Sequence, residues 1–508
     1  MFGKAETSAI VGIDGRRVTV EADYGTGLPS FDMVGFLGSE VKEARERVRS
    51  ALKNSGVELP PGRLTVNLSP ANLRKQGNSF DLAIAVAILC ALGEIPQEKV
   101  DGFLLIGELA LDGKIRRVNG VISHVIAARD NGFKAIIVPD ENRVEAAAVR
   151  DAVCYSVSSL SELVAFLKDP GTKKPLEQEE GEEAPSGIPD FIDVIGQESA
   201  KRAAEIAAAG MHTLLLVGPP GSGKSMIAKR LPGILPPPAA KEELEITRIH
   251  SVAGLIPEGK GLVRTRPFRA PHHTVSLAAL VGGGGMPTPG EMSLAHAGVL
   301  FLDELPEFSR AVLDGMRQPL EDGKVVISRV HGTYTFPANT MLVAAMNPCK
   351  CGYYPDRKRC SCPESEVRRY LSRISGPLLD RIDLTVKVPA LSAKELEKRS
   401  AGEDTKTIRE RVLRARRIQE ERYKNEEISS NSALSGALLK KYVELDESGK
   451  RMMNAAFESL KLSARGYDRT LKLARTVADL KAEEKITEEA LAEAILFRST
   501  VKEIFMRE

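Results

Sequence analysis

The stretch GPPGSGKS, from Gly218 to Ser225, has the residue types and spacing that wrap a polyphosphate. Glycines let the backbone turn tightly enough for its amides to converge, and a helix starting at the end of the loop adds its positive pole. On this pattern the backbone of Gly218, Pro219, Pro220, Gly221, Ser222 and Gly223 cradles the phosphates. Lys224 then reaches the β and γ groups, and Ser225 ligates magnesium. Downstream, VLFLDE delivers two carboxylates at the exit of an apolar strand: Asp303 to hold the magnesium through water, and Glu304 to polarise an attacking water as general base. A third apolar run, 341–346, ends at Asn347, which would orient that water. Three buried strands each delivering a polar group to one sheet edge is what a ligand site in an open α/β sheet requires.

Directly after Asn347 comes PCKCGYYPDRKRCSCP, which holds four of the six cysteines of the chain. Cys349, Cys351, Cys360 and Cys362 give the ligand count of a tetrahedral thiolate site, and Gly352 and Pro355 let the chain reverse between the pairs. Zinc is the metal this donor set favours, although Cys-x-Cys is a tighter bite than the usual Cys-x-x-Cys. Reduced thiols in a loop, or a redox pair, are the alternatives. A metal here would act as a structural clasp beside a catalytic residue. His272 and His273 are adjacent, so their side chains point apart on a helix or strand, and an interface or core network suits them better than a shared ion.

The elements that must position these groups follow from periodicity. A helix over 197–209, a strand over 213–217, the glycine loop and a helix from Lys224 give strand, loop, helix. Residues 170–189 lose apolar periodicity and fill with Glu, Gly, Pro and Lys, which marks a linker. Before it, a strand over 16–22, a helix over 40–54, a strand over 64–68 and a helix over 81–92 describe an α/β front domain. From 390 onward the pattern is almost purely helical. The division is therefore 1–169, a linker at 170–189, a phosphate-binding α/β domain at 190–390 and a helical domain at 391–508. A chain of 508 residues has length for about three domains of roughly 150 residues each. The longest apolar run, 82–92, falls short of a membrane span, and the start carries no apolar core of signal-peptide length, which points to a soluble, cytoplasmic protein. A formal net charge of +2 neither demands nor excludes a nucleic-acid partner, so local patches must decide.

With these residues in place the chain resembles an AAA+ ATPase, and more narrowly the magnesium-chelatase-like group that includes the ComM (YifB) family. The motifs that carry the resemblance are IGQESAKRAAEIAAAGMHTLLLVGPPGSGKS, FRAPHHTVSLAALVGGGGMPTPGEMSLAHAGVLFLDE, AAMNPCKCGYY, GPLLDRIDL and SARGYDRTLKLARTVADL. The resemblance implies a three-layer P-loop core with a helical lid, ATP and Mg2+ as cofactors, and a ring, most often a hexamer. It makes Arg381 the finger offered to a neighbouring subunit's nucleotide and Arg465 the second sensor of the lid, with Arg469 one turn on as a substitute. A γ-phosphate losing its bond needs added positive charge, which is why such arginines exist. The family role is branch migration of recombination intermediates during uptake of transforming DNA; a protein-remodelling motor of the magnesium-chelatase type is the alternative.

Two inserts bear on DNA. The Gly/Pro-rich VGGGGMPTPGE is a turn that interrupts a helix, and the family resemblance implies that it forms a hairpin; KVVISRVHGTYTFP alternates on both sides of its His-Gly tip and reads as a β-hairpin. Arg329 and His331 at that tip could grip phosphates without reading bases. The arginine-rich helix 407–424 reads as a solvated face, with nucleic-acid contact as the alternative. In the front domain, residues 105–142 resemble the Lon protease domain, with its ribosomal-protein-S5-like fold. Ser79 falls near the nucleophile position, but Ile122 stands where a Lys would activate it, so the domain reads as a binding or assembly platform, similar to that of the RadA recombination protein.

Overall fold

Three strands of the central domain alternate strictly between two hydrophobic cores. Leu214, Leu216, Phe301, Val343 and Ala345 enter one, and Leu215, Val217, Leu300, Leu302, Ala344 and Met346 enter the other. A sheet buried on both faces needs helices on each side, and three layers follow from that period of two. In the computed structural model, which describes residues 1–177, 187–285, 287–330, 332–391 and 402–505, this sheet has five strands. Their order is Phe268–Arg269, Val299–Leu302, Met341–Met346, Leu214–Val217, Leu384–Lys387, and every neighbouring pair is parallel. The strand ending at Asn347 therefore lies between the phosphate-loop strand and the strand ending at Asp303, and the carboxylates reach the loop across it.

The helical domain shares the first core. Ile408, Val412, Met453, Leu473, Val477 and Ala494 pack with the sheet residues, carried by the helices Thr405–Arg422, Glu447–Leu460, Ala464–Leu480 and Glu488–Phe505. The close approach depends on the helix Glu198–Gly210, whose buried face is Ala203, Ala204, Ala207 and Ala208. Small side chains let Gln419 Nε2 donate to the Ala209 carbonyl at 3.0 Å. Enlarging Ala207 to Leu would overpack this seam, at about 1–3 kcal/mol.

The front domain is a seven-stranded sheet, ordered Ser30–Val34, Arg63–Ser69, Asp14–Gly25, Phe2–Val11, Phe103–Leu105, Ala135–Pro139, Cys154–Val157. Helix Ser39–Asn54 covers it with Val41, Ala44, Val48, Ala51 and Leu52. Helix Asp81–Ala91 is buried on all sides, which is why its sequence is apolar throughout. The tight turn at Gly12, with φ of 67°, carries Ile13 into the second core of the central domain beside Val325, Ile327 and Phe336. Arg248, on helix Ala240–Val252, donates to the Ile13 carbonyl at 2.9 Å and to Asp14 at 2.6 Å. Gly120 N–H donates to the Ser251 carbonyl at 3.0 Å. The front domain is thus docked on the central one. Among the described residues no helix is long and apolar enough to cross a membrane.

Candidate active site

The phosphate loop leaves its strand at Gly218, where a side chain would collide with the Val388 carbonyl of the adjacent edge strand. Gly221 and Gly223 take φ of 74° and 94°, left-handed values that L side chains rarely adopt, and the helix Lys224–Ile234 follows at once. Lys224 is 7% exposed; its ammonium donates to the carbonyls of Gly218 and Pro219, each at 2.8 Å, and to Asn347 Oδ1 at 3.2 Å. Burial lowers its pKa, and the charge of Asp303 works against that. Ser225 Oγ donates to Asp303 Oδ2 at 2.7 Å, so the two groups that the sequence assigns to magnesium already share one place. An alcohol oxygen beside a carboxylate is a donor set that suits a hard cation. Loop residues Pro220 to Ser225, with Asp303, Glu304 and Asn347, line an open cavity of about 420 Å³.

Glu304 sits at φ of 53°, and its own N–H donates to Asp303 Oδ1 at 2.9 Å. That left-handed turn aims its carboxylate away from the strand and toward His273, whose Nδ1 lies 3.1 Å off. His273 in turn stacks on His272, with ring centroids 4.1 Å apart. Sequence reasoning assigns these two histidines to an interface or core network and so misses their place at the site. Their position just after the edge strand Phe268–Arg269 is the signal that could have revealed it, because in a parallel sheet that strand's exit faces the same ligand edge. Gln197 is a second omission: its Nε2 donates to the Ser222 carbonyl at 3.2 Å and to the Pro389 carbonyl at 2.8 Å, pinning the loop to the exit of the last strand.

Arg381 and Arg465 are brought together, but at a different place. Arg381 donates to the carbonyls of Arg317 at 3.1 Å and Pro377 at 2.8 Å and pairs with Glu321. Arg465 pairs with the other oxygen of Glu321 at 3.2 Å. Neither lines the phosphate-loop cavity of its own chain. Arg469, read as a substitute sensor, is held in a buried network: it donates to the Arg381 carbonyl at 3.0 Å and pairs with Asp383. Burial alone would raise the pKa of Asp383, but Arg469 and His212 hold it well below the usual carboxylate range. Arg469 therefore fixes the backbone that carries Arg381.

The four cysteine sulfurs lie within 4.8 Å of one another, with Cys349 3.3 Å from Cys351 and 3.8 Å from Cys360. A zinc–sulfur bond of about 2.3 Å puts tetrahedral edges near ~3.8 Å, so the donor set fits that ion. Arg359 lies over the ring of Tyr353 at 4.1 Å and Arg357 over Tyr354 at 5.0 Å, so these cations stack on the clasp. The two inserted hairpins lie side by side: Gly282–Gly283 pairs with Thr288–Pro289, Lys324–Arg329 pairs with Gly332–Pro337, and a Cβ at Gly283 would lie 3.7 Å from Arg329 Nη2. Arg329 is exposed at the tip and Val330 is 97% exposed; His331 lies outside the described residues. The arginine-rich helix turns out to serve the fold more than the solvent. Arg411 pairs with Glu205 and Glu403, Arg422 with Asp479, and Arg416 is buried, which leaves Arg414 and Arg417 exposed. Ile122 is wholly buried in the front domain and offers no amine to Ser79, itself 8% exposed.

Comparison with known proteins places these motifs. The model described as "Magnesium chelatase, subunit ChlI" matches residues 190–396, "Subunit ChlI of Mg-chelatase" matches 20–142, and "Magnesium chelatase, subunit ChlI C-terminal" matches 402–498. The competence protein ComM of Haemophilus influenzae is 43% identical over 502 residues, covering 97% of this chain and 97% of its own length. The uncharacterized protein YifB of Escherichia coli is 43% identical over 496 residues, covering 97% of this chain and 96% of its own. A Lon protease of Solibacter usitatus is 26% identical over 197 residues, 35% of this chain and 24% of its own length.

Proposed function

The chain belongs to the ComM/YifB family of magnesium-chelatase-like AAA+ ATPases, and on that premise we propose that it is a ring-forming, ATP-driven DNA motor that migrates branched recombination intermediates in the cytoplasm. Its own residues divide the work. Lys224 and the loop amides bind the β and γ phosphates, Ser225 and Asp303 would hold Mg2+, and Glu304 accepts a proton from the attacking water that Asn347 orients. Magnesium, when bound, neutralises charge on the phosphate oxygens. Arg381 and Arg465 serve the nucleotide of the next subunit, so one chain alone turns over slowly, and a hexamer closes the arrangement. Cys349, Cys351, Cys360 and Cys362 would hold zinc, which would stiffen the loop that leaves the sensor strand.

The observation that carries the DNA reading is the paired hairpins, with Arg329 and Val330 exposed at the tip of the second. A guanidinium in that position binds phosphate without selecting sequence. The test is ATP turnover with and without a branched DNA junction at several salt concentrations. Turnover should rise with DNA, and Arg329→Ala should weaken that stimulation several-fold and flatten the salt dependence of binding by about one unit of slope. Stimulation unchanged in the variant would discard the hairpin as the contact. Stimulation by a protein partner and not by DNA would favour remodelling of the magnesium-chelatase kind.

A further inference from the structure

The cysteine clasp does more than close a loop, because its inner edge is packed on the phosphate loop itself. Gly352, the residue after Cys351, holds φ of 89° and donates its N–H to the Cys349 carbonyl at 3.0 Å. A Cβ on Gly352 would reach within 2.8 Å of Pro220 Cγ, so the clasp backbone lies flat against the proline ring in the middle of GPPGSGKS. On the other side, Tyr354 and Pro355 face Gly218 and Pro219 across a cavity of about 240 Å³. The Tyr354 N–H donates to Cys349 Sγ at 3.4 Å, which ties that wall to the sulfur cluster. The chain enters the clasp from Asn347, two residues before Cys349, and Asn347 Oδ1 accepts from the Lys224 ammonium at 3.2 Å. Two contacts therefore join the cysteine segment to the loop, at Pro220 and, through Asn347, at Lys224, and Gly218 and Pro219 share a cavity wall with it.

We infer that metal binding at Cys349, Cys351, Cys360 and Cys362 sets the shape of the phosphate loop, so that the metal and the nucleoside triphosphate bind with positive coupling; this rests on the zinc reading above. The physical reason is backing. A glycine-rich loop has many backbone conformations, and fixing it in the phosphate-binding one carries an entropy cost that falls on nucleotide affinity. Four thiolates on one ion restrict 349–362 to a single arrangement, and that arrangement presses Gly352 on Pro220. The free energy of coupling is the same from either side, so nucleotide must tighten the metal by the factor with which the metal tightens nucleotide. Gly352 is the hinge of this linkage: it is the residue in contact, and its left-handed φ and the lack of room both resist a side chain.

The experiment uses the full chain, loaded with one equivalent of Zn2+ or stripped by chelator, with circular dichroism to confirm that the fold persists. A fluorescent ATP analogue reports nucleotide affinity, and a chromophoric chelator reports metal affinity with and without saturating ATP. Stripping the metal should weaken nucleotide binding about tenfold, and saturating ATP should strengthen zinc retention by a matching factor. Gly352→Ala should still hold one zinc but lose most of that mutual effect. A folded chain that holds one zinc and binds nucleotide equally well without it overturns the coupling and leaves the zinc reading intact. A chain that takes up no zinc overturns both. Cys360→Ser provides the second variant: if it stays folded with nucleotide affinity unchanged after losing the metal, the inference fails by an independent route.

Discussion

In the front domain Ser8 Oγ lies 2.5 Å from His124 Nδ1, while in the central domain Ser225, Asp303 and Glu304 are linked by hydrogen bonds and His273 lies 3.1 Å from the Glu304 carboxylate. Both regions hold a hydroxyl, an imidazole, a carboxylate and a lysine. The difference is where they face. Ser8 and His124 are sealed in the core, Asp81 is fully buried on Arg47, and the Lys75 ammonium is turned inward on the Pro70 carbonyl. The groups around Lys224 line an open cavity at the ends of parallel strands. Residue type alone does not make a site, because a buried polar pair that satisfies itself contributes stability and has no route to substrate. Variants in the central domain should therefore lose turnover with the fold kept, and variants in the front domain should lose stability with the chemistry kept.

The largest expected break comes from Arg381. Arginine fingers contribute roughly 10³-fold or more to phosphoryl transfer, so Arg381→Ala should lower turnover by about that factor under assembling conditions. Binding of nucleotide to the isolated subunit should not change, since Arg381 does not line its own cavity. A mixing experiment sharpens this. Subunits carrying Arg381→Ala keep Glu304, and subunits carrying Glu304→Gln keep Arg381, so mixed rings should recover part of the turnover that neither variant shows alone. No recovery would place Arg381 in a purely structural role on Glu321.

Glu304→Gln alone should lower turnover by about 10²-fold or more, the usual contribution of a positioned general base, while nucleotide binding persists. Gln keeps the shape of the side chain but cannot take the proton. The variant should therefore trap an ATP-bound ring, visible as a stable assembly on a branched junction. Equal loss of nucleotide affinity would mean that Glu304 binds substrate and does not assist the chemistry.

Much of the central site could be read from sequence because its signals are local. Strands of four to six apolar residues, leading into the glycine loop, Asp303 and Asn347 in turn, announce both the sheet and its ligand edge. What sequence could not fix was which strand lies next to which, because pairing joins residues far apart in the chain. Hence the place of the Asn347 strand between the other two comes from the structure alone. For the same reason the contact of His273 with Glu304 and the convergence of Arg381 and Arg465 on Glu321 were hidden: each depends on loops that bring distant segments together. The arginine-rich helix misled in the other direction. Its charge run looked solvated, yet Arg411 pairs with the alanine-faced helix, Arg422 pairs with the lid, and Arg416 is buried. The helix 240–252, which docks the front domain through Arg248, carried no motif at all.

The smallest effect concerns stability and tests the front-domain half of the comparison. His124 is 1% exposed, and burial pushes its pKa down to about 4 from an ordinary value of 6.5. The folded chain thus keeps this imidazole neutral across a range in which the unfolded chain protonates it. Between pH 6.5 and 4 the unfolded state holds the extra proton, so stability falls as the pH is lowered through that window and is fully present above it. The loss at the acid end is on the order of 3 kcal/mol, taken from the size of the shift. His124→Asn removes the titrating group, so its denaturation free energy should lack that part of the acid slope, whatever its offset at pH 7. Turnover at pH 7.5, per folded subunit, should match the parent chain, because Ser8 and His124 are buried in the front-domain core. An unchanged acid slope would assign the pH dependence to other groups, and a proportionate loss of turnover would mean that the front domain reaches the chemistry through its docked turn at Ile13.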